Sequence, residues 1–506
     1  MKIKLQYFIL CFVLLVQASP AISRDLEWDI GLSTIRTVIK ASGVKAATQG
    51  APTILYVAGL NGESDSSSRL RSVLSSYAQI NDIDRPVNLI VVPLANPESE
   101  PLSFPPSGSA YSENPVANAL WRWIGVHAPD LVIIANEDST SLASALQNES
   151  VAGIGSIPVQ QLTDANTSMS FLLGSSSLAE SAASIEVKRR LDRTPNELAE
   201  QLAQSYGYDF SSPVYVPGMS LIGRMRLGYL DEVASLIGGF LADTTFEVSS
   251  ASLLAGQLVF AEYAERTGDE DSLQLAIRAA ELAFDEQGNM RETMPMHSEM
   301  SDSVFMATPL LVKVGKLTGD SKYFDMAFRH VAYMQSLLLR DDGLYNHSPL
   351  ADVAWSRGNA FPVLGLALSL SNFPESHPGY EILKNSFLQH LDALRPYQDI
   401  DGMWLEVIDY PGSFAELTAT AMIGIAIKRG LDSGLLQANI YQPILSQIWD
   451  AVRIRTSLQG EFINACTSTG KMQSLDAYLD RLAVLGRDDR AGGMVMIFAN
   501  EMAGNM

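Results

Sequence analysis

The segment Met294–Leu311, MPMHSEMSDSVFMATPLL, sets Asp302 at the mouth of an apolar run. Positions i+3, i+4 and i+7 from it are Phe305, Met306 and Pro309, so a helix starting near Ser301 would carry the carboxylate on its apolar, inward face. Desolvation there raises a carboxylic acid toward the range a general acid needs. The simpler reading makes Asp302, or Ser301, the N-cap of that helix. Other segments add to the set. YNHS places His347 directly after a turn, and WSRGNAF follows with Trp355, Arg357 and Phe361. DIDGMWLEVIDYPGSFAELTATAM then ends a turn on Trp404 and opens an apolar helix at Glu416. Aromatic faces beside a guanidinium suit an anionic sugar, the rings taking the pyranose and the arginine its carboxylate. His297 is a further polar candidate upstream of Asp302, while Met294, Met296 and Met300 read as core filler.

Elements must hold these residues in place, and an internal repeat indicates which. DEQGNM, DDGLY, DIDGMW and LQGEF are polar turns whose glycines, Gly288, Gly343, Gly402 and Gly460, lie 55, 59 and 58 residues apart. TGD recurs at 267–269 and 318–320, each time before a helical pattern. Helical hairpins repeating at this spacing bury their apolar stripes on neighbouring hairpins. The region 191–506 holds five or six of them, as an open solenoid or a closed (α/α)6 toroid whose loops gather at one rim. Residues 24–190 have a different, α/β texture. TILYVAGL (53–60), NLIVVPLA (88–95) and LVIIAN (131–136) read as buried parallel strands, with helical patterns at 67–80 and 116–128 between them.

Composition bounds the class. With 506 residues, 47% hydrophobic and 18% charged, the chain can bury a large core. A net charge of −22 opposes a nucleic-acid partner. Residues 1–23, with Lys2, Lys4 and an apolar core at 8–16, read as an export signal, giving a periplasmic or secreted protein without an integral membrane segment after cleavage. Cys466 is then the single cysteine of the mature chain, so no internal disulfide is expected.

From about Asp269 onward the motifs resemble those of the unsaturated glucuronyl and galacturonyl hydrolases, glycoside hydrolase families 88 and 105. SDSVFMATPLL, GLYNH, WSRGNAF, GMWLEVIDYPGSFAELTATAM and INACTSTGK stand in the family's order. The resemblance implies an (α/α)6 toroid acting on unsaturated uronate oligosaccharides left by polysaccharide lyases, with no metal or cofactor. It puts the catalytic acid at Asp302, the substrate-contacting histidine at His347, a sugar-contacting aromatic at Trp355 and the carboxylate-binding arginine at Arg357. The implied chemistry is hydration. The acid protonates C4 of a C4=C5 vinyl ether, water adds at C5, and the hemiketal collapses with loss of the glycosidic bond. Two departures stand out. Ala360-Phe361 replaces the family's Gly-Trp, and its second aspartate is absent, so that Glu247 substitutes, or His297 with Glu299 does, or the activity has changed. The N-terminal region resembles, more faintly, zinc carboxypeptidases and succinylglutamate desuccinylases. Leu60 and Asn136 stand where that family has histidine ligands, and Glu63 remains of the three that zinc needs, so an inactive module is expected, with His127 too early to substitute. A non-catalytic glycan-binding protein, or a metallopeptidase or deacylase, are the alternative functions.

Overall fold

The computed structural model describes residues 26–505 except 63, 108–112, 136–139, 163–164, 242 and 244–245. The expected signal segment and the positions Glu63 and Asn136 fall outside these residues. The N-terminal region is a six-stranded sheet made of β1 (Leu26–Leu32), β2 (Val38–Val44), β3 (Thr53–Val57), β4 (Asn88–Val92), β5 (Leu131–Ala135) and β6 (Val159–Leu162), in the order β1-β2-β4-β3-β5-β6. β4, β3, β5 and β6 run parallel, and the β1–β2 hairpin adds antiparallel to the β4 edge. Both faces are covered, which is why the central strands are apolar after their first residues, Thr53 and Asn88. Leu55, Val57, Ile90, Val92, Val132 and Ile134 pack on one side, and Ile54, Tyr56, Leu89, Val91, Leu131 and Ile133 on the other. The helices Ser64–Ala78 and Pro115–His127 agree with the expected patterns to within a few residues.

The remainder is helical, and it is built as pairs. Six helices form a closed sequence of contacts. Tyr215–Arg226 packs on Ala251–Gly256, and this on Ser303–Thr318. Ser356–Leu370, Leu417–Asp432 and Asp489–Ala503 follow in turn, and the last returns to Tyr215–Arg226. Ser356–Leu370 shows why these are inner helices, since nearly every residue is buried, Ser and Asn included. A second set lies outside. Lys322–Leu338, Tyr380–Leu394 and Ala438–Ile454 each pack on the inner helix that precedes them, burying one stripe. Pro195–Ala203, the first helix of this region, packs on Asp489–Ala503, the last, and so joins the two ends of the chain segment.

The repeated glycine turns connect outer to inner helices at one rim. Gly288, Gly343, Gly402 and Gly460 all take φ between 75° and 85°, where a Cβ is disfavoured. In each turn the glycine N–H donates to the carbonyl three residues back, in Asp285, Arg340, Asp399 and Ser457. The next inner helix starts after each turn, so its first turn, the positive end of its dipole, faces that rim. No helix among the described residues is long and apolar enough to cross a membrane.

Candidate active site

Asp302 occupies the N-cap position of Ser303–Thr318, yet its carboxylate makes no capping hydrogen bond. The simple capping role therefore does not account for it. Its backbone carbonyl accepts from Phe305 and Met306, which fixes the residue on the first turn. The residue is 8% exposed, and Oδ1 lies 3.4 Å from His347 Nε2, an ion-pair distance that lacks hydrogen-bond geometry.

Several contacts place His347 there. Its N–H donates to Val353 O, and its carbonyl accepts from Ser301 N, tying the loop to the start of the Asp302 helix. The side chain of Asn359 clamps the preceding turn by accepting from Tyr345 N and donating to Tyr345 O. His347 Nδ1 is 2.8 Å from the Tyr478 hydroxyl, so the far ring nitrogen is held while Nε2 points toward Asp302. Gly358 is the third side of this packing. A Cβ there would stand 3.0 Å from Ser301 Oγ and 3.3 Å from both the His347 and Trp355 rings.

Behind His347 is a buried cluster. The Trp355 ring lies 4.4 Å from the His347 ring, tilted at 47°, and the Arg357 guanidinium sits 4.7 Å over Trp355. Arg357 donates to the Cys466 and Thr467 carbonyls at 2.5 and 2.6 Å. Burial alone would lower its pKa, but Cys466, Glu416, Tyr215 and Glu406 reverse the direction and hold it charged. Glu406 accepts from Trp355 Nε1 at 2.8 Å and from the Cys466 thiol at 3.0 Å. Its pKa is pushed up to about 8 by burial and by the neighbouring Glu416. Glu416 is satisfied differently, as the N-cap of Leu417–Asp432, accepting from Thr418 N, Ala419 N and Cys466 N. Burial pushes the Cys466 thiol up as well.

The structure thus brings Asp302, His347, Trp355 and Arg357 into one assembly, but not in the form that sugar contact would require of each. Trp355 and Phe361 are 1% exposed, and Arg357 has both terminal nitrogens engaged by backbone carbonyls. Phe361 packs on Phe305 and Tyr215 inside the ring of helices. Trp404 lies apart in the helical core, where its indole donates to Leu394 O. These side chains present no open face, because the inner helices that carry them close on one another. His297 is half-buried at the rim beside Tyr333, with its pKa lowered first by burial. It sits in a loop where Met296, Ser298 and Glu299 all have positive φ, a costly backbone, and Lys471 pairs with Glu299 at its surface. Buried His330 anchors the same loop through Thr293, Met294 and Ser303, and burial lowers its pKa to about 4.

The expected substitutes for a second aspartate are spread out. Glu247 and Glu299 are exposed. The other glutamates upstream, Glu262 and Glu265, pair with Lys313 near the far end of the Asp302 helix, eleven residues or about 16 Å along it. Sequence reasoning missed Glu406, Tyr478 and Tyr215. Glu406 had a signal, as an acid set between the apolar Leu405 and Val407. Tyr478, 131 residues from His347, had none. Half-buried Tyr215 stands at the start of its inner helix, within electrostatic reach of both Asp302 and Arg357, and burial raises its pKa. No group of three His, Cys, Asp or Glu side chains able to hold a metal occurs among the described residues.

Known proteins share this architecture. A possible glycoside hydrolase family 105 member from Klebsiella pneumoniae superposes with a TM-score of 0.54 at 20% identity, covering 62% of this chain and 93% of that one. A family 105 glycoside hydrolase from C. acetobutylicum gives 0.54 at 16% identity, covering 61% and 99%. These likenesses define the helical fold. Residues 224–506 match the model of Glycosyl Hydrolase Family 88, and the chain belongs to that family. The unsaturated rhamnogalacturonyl hydrolase YesR of Bacillus subtilis is 28% identical over 219 residues, 41% of this chain and 58% of that protein. An unsaturated 3S-rhamnoglycuronyl hydrolase of Formosa agariphila is 28% identical over 171 residues, 30% of this chain and 45% of that protein. The chain spans about half the length of the curated relatives it matches.

Proposed function

We propose that the protein is an exported hydrolase that removes unsaturated uronic acid from lyase-generated oligosaccharides by hydrating the C4=C5 double bond. The closed sequence of inner helices is read as an (α/α)6 toroid with its site at the rim where those helices begin. The observation that carries the reading is the Asp302 carboxylate, shielded at a helix N-terminus, free of any capping bond, and 3.4 Å from His347. Family membership and the named activities of the relatives support the substrate class.

In this reading Asp302 delivers a proton to C4 and then takes one from the water that adds at C5. His347, held by Tyr478, keeps the carboxylate oriented. Arg357 acts through its charge, because its N–H groups are engaged by the chain. With Trp355 it forms the floor beneath His347. Positive ends of the inner helices add to the attraction for the substrate carboxylate. The N-terminal sheet domain is read as an inactive relative of zinc carboxypeptidases that braces the rim. The test is the ultraviolet absorbance of the conjugated enol ether in an unsaturated disaccharide. Wild type consumes it and Asp302→Asn does not; equal rates in the two would remove Asp302 from the chemistry.

A further inference from the structure

A cavity of about 330 Å³ lies between the sheet domain and the helical region, outside the assembly around Asp302. The two share a wall, a two-stranded ribbon in which Trp404 pairs with Glu416 and Leu405 with Ala415. Side chains alternate across a strand, so Leu405 and Ala415 line the cavity while Glu406 and Glu416 face the buried cluster.

Part of the polar lining of this cavity is not used up by the fold. Arg455 is 4% exposed and forms no ion pair among the described residues. Its Nη1 donates to a carbonyl of its own helix, in Ala451, and its Nε has no hydrogen-bond partner there. Its charge lies near the Asp399 and Asp401 carboxylates, so what the fold leaves unspent is hydrogen-bond donor capacity. Trp123 is also more than nine-tenths buried, with its indole N–H unpartnered. Asp399 accepts two backbone N–H groups of its turn, from Asp401 and Met403, on one oxygen, and its other oxygen has no hydrogen bond among the described residues. Burial and the adjacent Asp401 raise its pKa. Asp401 itself is engaged, by Trp28 Nε1 at 3.0 Å and His127 at 3.2 Å. The remaining wall is apolar and aromatic, with Trp28, Leu405 and Phe414.

The lining carries four carboxylates, Glu27, Asp29, Asp399 and Asp401, against three cations, Lys40, Arg122 and Arg455. This near balance disfavours a strongly charged ligand. A hydroxyl group can accept from a guanidinium and donate to a carboxylate at once, and aromatic walls suit the apolar face of a ring. The volume is at the small end of ligand sites, which run from about 300 to 1,000 Å³. We propose that this cavity is a second saccharide site, taking one neutral sugar ring between Arg455 and Asp399 against the tryptophan wall. It does not depend on the reaction assigned to Asp302.

The experiment titrates the full-length protein with glucose, galactose, rhamnose, xylose and glucuronate, by ligand-observed NMR and calorimetry. At least one neutral sugar binds saturably. Arg455→Met weakens it at least tenfold, and so does Leu405→Trp, which fills the cavity without removing a polar group. Asp302→Asn leaves it unchanged. The proposal is overturned if no neutral sugar binds wild type, if both cavity variants bind it normally, or if Asp302→Asn abolishes its binding.

Discussion

Replacing Glu406 with Gln isolates the cost of keeping a second carboxyl inside the buried cluster. Glu406 is fully buried, beside Glu416, and its pKa stands at about 8 against 4.5 in an exposed setting. A carboxyl with a raised folded pKa holds its proton more tightly in the folded chain than in the unfolded one. Each step in pH between those two values therefore favours unfolding, and the loss is complete above the folded value. From pH 5 to pH 8 this linkage amounts to about 3 kcal/mol at 1.36 kcal/mol per pH unit. Glutamine keeps an oxygen for the Trp355 indole and the Cys466 thiol but cannot ionise. Urea unfolding of both proteins at pH 5, 6, 7 and 8 reads the difference, and subtraction cancels the titrating groups remote from Glu406. The variant gains on wild type by about 3 kcal/mol across the range. A stability difference that stays constant with pH would refute the claim that Glu406 is protonated in the folded protein.

Three further outcomes follow from the same contacts. Tyr478→Phe strips the partner from His347 Nδ1, a buried group, and costs about 1–3 kcal/mol in unfolding free energy, with a fall in the rate of chromophore loss. Gly358→Ala gains about 1 kcal/mol of helix propensity but forces a Cβ against Ser301, His347 and Trp355, all buried and unable to give. Overpacking of about 1–3 kcal/mol prevails, and thermal melting shows a lower Tm. Arg122→Met removes the bonds from the sheet domain to Asn464 and Ala483, lowering unfolding free energy by about 2 kcal/mol in a urea titration.

Much of this arrangement was legible in the residues. The continuous apolar runs at 53–60, 88–95 and 131–136 became β3, β4 and β5 because strands covered on both faces have no polar side. The β1–β2 hairpin escaped notice, since LEWDIGL and VIKASGV mix exposed polar residues with buried ones. The glycine spacing gave the helical pairs, because a left-handed turn recurs once per pair. The same motifs that brought Asp302 and His347 together could not reveal how far Trp355, Arg357 and Phe361 are enclosed. Enclosure depends on groups remote in sequence, such as the Cys466 and Thr467 carbonyls that hold Arg357.

The central claim is that Asp302 adds water across an alkene instead of displacing a sugar. Proton NMR of an unsaturated disaccharide during turnover separates the two. The account requires the vinylic H4 signal and the glycosidic linkage to vanish together with wild type, and both to persist with Asp302→Asn. Release of a free sugar that still carries its double bond, or undiminished turnover by the variant, would contradict it.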